Sequence, residues 1–397
     1  MTKLQEKTEY KQGYKNTKLG WIPEEWEVVR LGDCFTLTSG ITKPKDLSEF
    51  ITNHKNIPVY GGNGIIGYSA EVLFDNEFII IGRVGEKCGC VYYHEGKAWI
   101  TDNALYTNKL IKHISLKYFN SLLVSKDLNK LRNKGGQPLV SQKPIYAITI
   151  PLPSFSEQQK IAEVLTSWDN AIEKTEKLIE FRQKSKKAFM QSLLTGKLRF
   201  PQFAGHERKI VKLKDYLNES SIKNNKNQVQ NVLSVTNSRG FINQDEQFER
   251  SVASKDLKGY KIVKKGQFAY NPSRINVGSI DLLKTFDTGI VSPIYVIFET
   301  KEDILLSEYL KHFFKTYNFF EQMKAFTQGG VRDSLSFKGL SMMKMFIPSI
   351  EEQKKIVAVL NSCDREIETL KQKLSKLNEQ KKGLMQKLLT GQVRVKV

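Results

Sequence analysis

The sequence predicts an α+β fold: two globular heads separated by an antiparallel two-helix coiled-coil spacer, with a pseudo-twofold internal repeat. Three observations carry this reading. One block of the chain recurs without a gap, and its apolar residues alternate at spacings of four and three. The stretches between the two copies carry strand and turn signals more than helical ones.

The repeat opens at Pro153-Ser154-Phe155-Ser156-Glu157-Gln158-Gln159-Lys160-Ile161, which aligns with Pro348-Ser349-Ile350-Glu351-Glu352-Gln353-Lys354-Lys355-Ile356. It closes at Met190-Gln191-Ser192-Leu193-Leu194-Thr195-Gly196 against Met385-Gln386-Lys387-Leu388-Leu389-Thr390-Gly391. About 21 of the 47 aligned positions are identical, far above chance. A fainter echo relates Val29-Arg30-Leu31-Gly32-Asp33 to Val211-Lys212-Leu213-Lys214-Asp215, and Gly135-Gly136 and Gly329-Gly330 stand at nearly equal distances before the two copies. The intervening stretches do not match, so the chain reads variable, constant, variable, constant.

Each constant block predicts one long helix. Ser154 and Ser349 stand at the N-cap with Glu157 and Glu352 three residues on, the spacing of a reciprocal capping box. Gly196 and Gly391 end the periodic pattern where a left-handed residue would stop a helix. About 41 residues between cap and stop give a rod of roughly 60 Å at 1.5 Å per residue. The first seam runs through Leu165, Trp168, Ile172, Ile179 and Phe189, the second through Leu360, Ile367, Leu370, Leu374, Leu377 and Leu384. Such a sustained 3.5-residue repeat predicts a narrow stripe facing one partner helix. Lys186 and Lys381 interrupt both seams at the same place. Connectivity favours an antiparallel pair, because the second head leaves the end of one helix and re-enters at the start of the other.

In the heads, Glu77–Gly82, Cys90–Tyr93, Ile262–Tyr270 and Ile290–Phe298 predict strands, and helices are expected around Leu116–Leu131 and Leu306–Lys324. No helix-turn-helix pattern appears.

Composition narrows the function. Lys+Arg 62 against Asp+Glu 42 leaves a formal net charge of +20, which favours a polyanionic partner. No apolar run reaches the roughly 18 residues of a membrane span, which argues against an integral membrane protein. The opening twenty residues lack the apolar block of a secretory signal, and four cysteines in so long a chain suit a reducing cytoplasm. The cytoplasm is therefore the expected location.

Several motifs resemble active sites without the context those sites need. Gly62-Asn63-Gly64-Ile65-Ile66-Gly67 fits G-x-G-x-x-G but is not followed by a helical stripe, so a sheet turn is the better account. Asn271-Pro272-Ser273-Arg274 lacks the second proline and the aromatic residue of an amino-methyltransferase motif. Glu95-Gly96-Lys97 has the spacing of a nuclease E-x-K, with Asp75 upstream, but reads better as a solvated turn. Cys88-Gly89-Cys90 is too tight for a zinc knuckle, the five histidines form no H-x₃₋₅-H pair, and no phosphate-binding P-loop occurs. No catalytic, cofactor or metal residues are therefore assigned.

The opening Gly20-Trp21-Ile22-Pro23-Glu24-Glu25-Trp26-Glu27-Val28, the doubled P-S-x-x-E-Q-x-K-I start and the doubled M-Q-x-L-L-T-G-x-x-R finish carry a family resemblance. So does Tyr60-Gly61-Gly62-Asn63-Gly64-Ile65-Ile66-Gly67-Tyr68. Over nearly its whole length the chain resembles the specificity (S) subunit of type I restriction–modification systems. One departure stands out: the second copy opens with Phe203-Ala204-Gly205-His206-Glu207-Arg208-Lys209 in place of the W-I-P-E-x-W form.

The resemblance implies a polar N-terminal tail at 1–19, a first target recognition domain at 20–152 and a first conserved helix at 153–198. A second target recognition domain follows at 199–347, then a second conserved helix and C-terminal tail at 348–397. It implies a non-catalytic, sequence-specific DNA-binding subunit whose domains each read half of a bipartite site in double-stranded DNA. The helices would space the domains and dock two DNA methyltransferase subunits, to which motor–nuclease restriction subunits attach. S-adenosylmethionine, ATP and Mg would belong to those partners, with no cofactor in this chain and no membrane partner.

Base edges are read by arginine at guanine and by asparagine or glutamine at adenine. Turn-borne residues of these types are Asn63, Arg83, Asn103, Arg132 and Gln137 in the first head, and Arg239, Asn271, Arg274, Asn276, Gln328 and Arg332 in the second. Two alternatives come from other classes. One is a self-sufficient DNA methyltransferase or nuclease with duplicated DNA-binding heads; the other is a coiled-coil scaffold without DNA affinity.

Overall fold

The computed structural model describes residues 12–133, 135–237, 239–244, 257–327 and 334–396. They divide into two units, one holding Met1–Glu176 and Gln372–Val397, the other Lys177–Lys371.

In the first unit, β1 (Tyr14–Thr17) and β2 (Gly20–Pro23) form a hairpin ahead of β3 (Glu27–Arg30). Six strands follow: β4 (Phe35–Ser39), β5 (Ile57–Gly61), β6 (Gly64–Ser69), β7 (Phe74–Gly82), β8 (Val91–Ile100) and β9 (Ala104–Leu110), ordered in space β4-β9-β7-β8-β5-β6. Only the β5–β8 pair in this sheet is parallel. Helices α1 (Leu116–Ser125) and α2 (Gln142–Tyr146) lead to β10 (Thr149–Leu152), which returns antiparallel to β3 just before the long helix α3 (Phe155–Leu194).

Strand alternation sends residues to two faces. Ile79, Ile81 and Leu105 join Phe35 and the α1 residues Tyr118, Phe119 and Leu122 in the main core. Phe78, Ile80 and Tyr106 gather with Tyr60 in a second cluster. Helix α1 ends before the predicted Leu131. Asp127 takes a left-handed φ of 50°, which breaks the helix and leaves a short 3₁₀ turn at Leu128–Leu131.

The second unit begins with β11 (Ile210–Lys212) and continues through β12 (Leu217–Ser220), β13 (Leu233–Thr236), β14 (Gly240–Asn243), β15 (Lys261–Lys264), β16 (Phe268–Tyr270), β17 (Ile280–Leu282), β18 (Thr288–Val291) and β19 (Val296–Thr300). Helices α4 (Ser307–Phe313), α5 (Tyr317–Thr327) and α6 (Phe337–Met342), strand β20 (Lys344–Phe346) and the second long helix α7 (Ile350–Leu388) complete it. A four-stranded sheet, ordered β12-β19-β16-β17, is flanked by the pairs β13-β14, β15-β18 and β11-β20. Two stretches that read as single strands are each two. Gly266, at φ +87°, turns the chain between β15 and β16, and Tyr295 donates its N–H to Ser292 in a turn between β18 and β19. The expected helix at Leu306–Lys324 is likewise broken, because the Thr316 hydroxyl caps a new start at Phe319 N–H.

The faint upstream echo is structural. Leu31 and Leu213 are both fully buried, each opens a 3₁₀ turn after an antiparallel strand pair, and each donates its N–H to the opposite chain, at Ile148 (2.9 Å) and Met343 (3.0 Å).

Helices α3 and α7 pack together in both units. The first unit buries Ile161 and Leu165 of α3 with Leu388 and Leu389 of α7. The second buries Ile356 and Leu360 of α7 with Leu193 and Leu194 of α3. Seam residues Leu165, Ile179, Leu360 and Ile367 are buried, whereas Trp168, Ile172, Leu370, Leu374, Leu377 and Leu384 are half-buried. Phe189 is a correction to the expected seam: it is 47% exposed, and its neighbour Met190 takes the buried place. Lys186 keeps its place on the stripe, its side chain 14% exposed, and the next buried positions are Met190 and Leu193.

The caps hold in part. Ser154 and Ser349 accept the N–H of Glu157 and Glu352 at 3.3 and 3.4 Å. The two carboxylates do not complete reciprocal boxes. Glu157, 1% exposed, accepts from Trp26 Nε1 and from Arg394 Nε and Nη2. Glu352 accepts Nε and Nη2 of Arg199. Gln158 and Gln353 use their amides alike. Each donates to the proline carbonyl before the cap, and each accepts the N–H that opens the neighbouring helix, at Ser115 or Leu306.

Candidate nucleic-acid interface

In the first unit the predicted readers gather at one end of the six-stranded sheet. A two-residue turn joins β5 to β6, and a Cβ on Gly62 would lie 2.4 Å from the Val84 carbonyl oxygen, so only glycine allows this approach. Arg83 N–H donates to the Asn103 carbonyl (2.9 Å), Val140 N–H to the Arg83 carbonyl (2.8 Å) and Gly85 N–H to the Pro138 carbonyl (2.9 Å). Those bonds tie the β7–β8 and β8–β9 turns to the segment before α2, and the β5–β6 turn lies against them through the close approach of Gly62 to Val84. Asn63, Asn103, Arg132 and Gln137 are exposed there. Arg132 lines a cleft of about 580 Å³ with Lys130 and Asn133.

Arg83 behaves differently from the other four. It is half-buried, its Nη1 donates to Ser39 Oγ at 2.8 Å, and its Nε is buried with no partner among the described residues. Part of this guanidinium is therefore spent on holding the end of β4. Lys87, exposed on the same loop, was missed by sequence reasoning, which weighted bidentate side chains and passed over lysine in a turn.

In the second unit the β13–β14 turn meets the turn between β16 and β17. Ser279 Oγ donates to the Val235 carbonyl at 2.8 Å, and a Cβ on Gly278 would lie 2.7 Å from Asn237 Oδ1. Arg239, Arg274 and Asn276 are exposed around this junction. Asn271 is half-buried, and its Oδ1 accepts Ser273 N–H at 3.1 Å, so its amide oxygen serves the turn. Arg239 borders a cleft of about 410 Å³ that also takes in Lys311 and Lys315, two cations the sequence reading missed. Lys311 is held at 2.6 Å by Asp281. Gln328 and Arg332 lie outside the described residues.

Among the described residues no group of three His, Cys, Asp or Glu side chains could hold a metal ion, and no helix is long and apolar enough to cross a membrane. Glu95 of the E-x-K tripeptide accepts from Tyr93 and Lys117.

Two separate surfaces, each at a junction of sheet turns and each presenting arginine and carboxamide groups, thus stand on one duplicated scaffold. The family model of the type I restriction modification DNA specificity domain matches the chain twice, at residues 23–181 and 211–379. The chain belongs to the type I restriction–modification specificity subunits. Each match joins one globular segment to most of one long helix. The specificity subunit is similar to that of the type I restriction enzyme MjaVIII from Methanocaldococcus jannaschii, 27% identical over 407 residues that cover 94% of both chains. It is 24% identical to the putative MjaX specificity subunit of the same organism, over 97% of both. In structure it is similar to the type I system S subunit from M. genitalium, with a TM-score of 0.60 at 18% identity, covering 92% of this chain and 96% of that one. A chain solved in work on complex assembly and conformational transition of the type I system gives 0.52 at 12% identity, over 94% and 99%. Both structural likenesses speak to the fold. As a specificity subunit, the chain is the non-catalytic DNA-specificity component of a type I enzyme.

Proposed function

We propose that the segments 20–152 and 199–347 are target recognition domains, each reading one half of a bipartite site in double-stranded DNA. The helical segments 153–198 and 348–397 act as the spacer and as the docking surface for two DNA methyltransferase subunits, and motor–nuclease subunits join through these. Methyl transfer with S-adenosylmethionine, and ATP- and Mg-dependent cleavage, reside in those partners, in the cytoplasm. The observation that carries this reading is the double match of one DNA-specificity domain, one copy per globular segment, on a chain of net charge +20.

The chemistry divides by group. Exposed lysines and arginines neutralise phosphates, and each such contact steepens the fall of log K with log salt by about 0.9. Asn63, Asn103, Arg132 and Gln137 read bases in one half, and Arg239, Arg274 and Asn276 in the other, with Arg83 and Asn271 bracing their turns. Mapping modified bases across a genome, with and without this gene, tests the proposal. Two short words separated by a fixed gap are expected, and exchanging residues 199–347 for a relative's should change one word only. Modification of a single continuous word, or methylation by the isolated chain, overturns it and favours the self-sufficient enzyme.

A further inference from the structure

Each head turns a branched aliphatic side chain outward beside an exposed asparagine. In the first, the two-residue turn between β5 and β6 ends at Asn63, and Ile65 follows two residues on, 48% exposed. In the second, the connection from β16 to β17 makes one 3₁₀ turn at Ile275–Val277. Ile275 is 1% exposed and anchors that turn, whereas Val277 is 57% exposed directly after the exposed Asn276.

Both turns are pinned. Across the first hairpin Gly61 pairs with Gly64 and Tyr60 with Ile65, and Gly62 sits hard against the Val84 carbonyl. The second is closed by Val277 N–H on the Arg274 carbonyl (3.2 Å) and Gly278 N–H on the Ile275 carbonyl (2.9 Å), and Ser279 Oγ ties it to β13. Asn129 and Asn271 spend their side chains on their own loops. The carboxamides of Asn63 and Asn276 have no hydrogen-bond partner among the described residues and are free for a guest.

A single exposed aliphatic residue is ordinary on a protein surface. Here it recurs beside an unspent carboxamide in two heads whose sequences do not match and whose turns differ in kind, which calls for one shared cause. In the major groove an A·T pair offers adenine N7 and N6 to a carboxamide, and it offers one apolar group, the thymine 5-methyl. Resting on the function proposed above, we propose that Ile65 and Val277 are specificity-determining residues, each covering the 5-methyl group of a thymine in the word its neighbouring asparagine reads. Both side chains are β-branched and stiff at χ1, so little rotamer freedom is lost on contact. Ile66 is set aside because it leans back over the hairpin: a Cβ on Gly61 would lie 2.8 Å from its Cγ2.

The test uses the full-length chain assembled with its methyltransferase subunits, and a synthetic duplex carrying the site found by mapping modified bases. Thymidine is replaced by deoxyuridine one position at a time, which removes the methyl group and keeps every hydrogen-bonding edge. Competition binding should show one position in each word where the replacement weakens binding by about fourfold, the worth of one buried methyl group. Ile65→Ala should abolish that sensitivity in one word and Val277→Ala in the other, each leaving the opposite word as it was. Words without thymine, no loss on any replacement, or a loss that persists in both variants overturns the assignment while the proposed function stands. Loss of duplex bending in Val277→Ala, read by end-to-end energy transfer, with no effect of deoxyuridine also overturns it, in favour of a side chain wedged between base steps. If the unaltered complex does not prefer the mapped duplex to a scrambled one, the proposed function itself fails.

Discussion

Lys186 of α3 donates to Asp364 of α7, and the equivalent bond recurs in the other unit between Lys381 and Asp169. All four residues are identical across the repeat, and the two pairs have the same sum of residue numbers, as an antiparallel register requires. The lysines that stand in place of apolar residues in both seams therefore pair the two helices in register. Their side chains are 14% and 20% exposed, so their stems lie along the apolar stripe while the ammonium groups reach out to the aspartates.

Removing one acid tests this register. Asp364→Asn leaves Lys186 unpaired in a half-apolar setting and should cost about 1 kcal/mol in urea denaturation, because the aspartate side is partly solvated. The swap Lys186→Asp/Asp364→Lys should recover most of that loss. A swap no more stable than the single variant would show that the pair contributes no specific register.

The buried arginine locks are expected to weigh more. Glu352 is 1% exposed, and Arg199 grips it through two nitrogens, so Glu352→Ala strands a guanidinium in a dry site. A loss of roughly 3 kcal/mol is expected by thermal denaturation, against less than about 0.5 kcal/mol for Glu163→Ala, whose surface pair with Lys160 is solvated.

His312 makes the second unit sensitive to acid. It is 3% exposed, and burial, with Lys186 and Lys315 nearby, pushes its pKa down to about 4, although Asn361 Oδ1 lies 3.2 Å from Nε2 and Asp364 opposes the shift. The unfolded chain binds this proton near pH 6.5 and the folded chain only near pH 4. Stability is therefore full above pH 6.5 and falls as the pH drops toward 4, by up to about 3 kcal/mol. Denaturation at pH 7 and pH 5 should show the fall, and His312→Gln should flatten it.

Gly391 and Gly196 end equivalent helices in the left-handed region, at φ +73° and +67°, yet differ in surroundings. A Cβ at 391 would lie 2.4 Å from Pro23 Cδ, whereas one at 196 would meet the Phe346 ring at 3.0 Å. Gly391→Ala should thus destabilise more than Gly196→Ala, which carries mainly a backbone penalty of about 1 kcal/mol. Equal losses in melting temperature would remove the steric argument.

The two surfaces proposed to read DNA should fail separately. Asn103→Ala and Arg274→Ala should each cost about 1–3 kcal/mol of discrimination at one half-site, leaving the other half and the salt slope unchanged. Lys87→Ala should instead weaken binding evenly across sequences and lower the salt slope by about 1. Competition binding with half-site variants distinguishes these patterns.

Local chemistry made much of this protein legible. Helix caps, stops and seams act over three or four residues, so Ser154, Gly196 and the spacing from Leu360 to Leu384 declared both long helices, and the repeat declared the duplication. The breaks at Asp127, Gly266 and Thr316 were harder to see, because each depends on a single residue's backbone or hydroxyl inside a pattern that otherwise continues.

What the amino-acid order determined alone was the doubled helix with its start, its stop and its charge excess. Tertiary structure decided the use of the polar groups: Glu157 turned from its own cap to Arg394 and Trp26, and Arg83 turned partly inward to Ser39. The distribution of the proposed readers was likewise decided there, with Asn103 and Gln137 brought from distant stretches to one sheet end by backbone bonds between loops and Asn63 by the close approach of Gly62 to Val84. The physical reason is range. A helix pays its ordering entropy against neighbours a turn away, whereas a buried carboxylate or a sheet-end turn is satisfied by whichever donor the folded chain brings within about 3 Å.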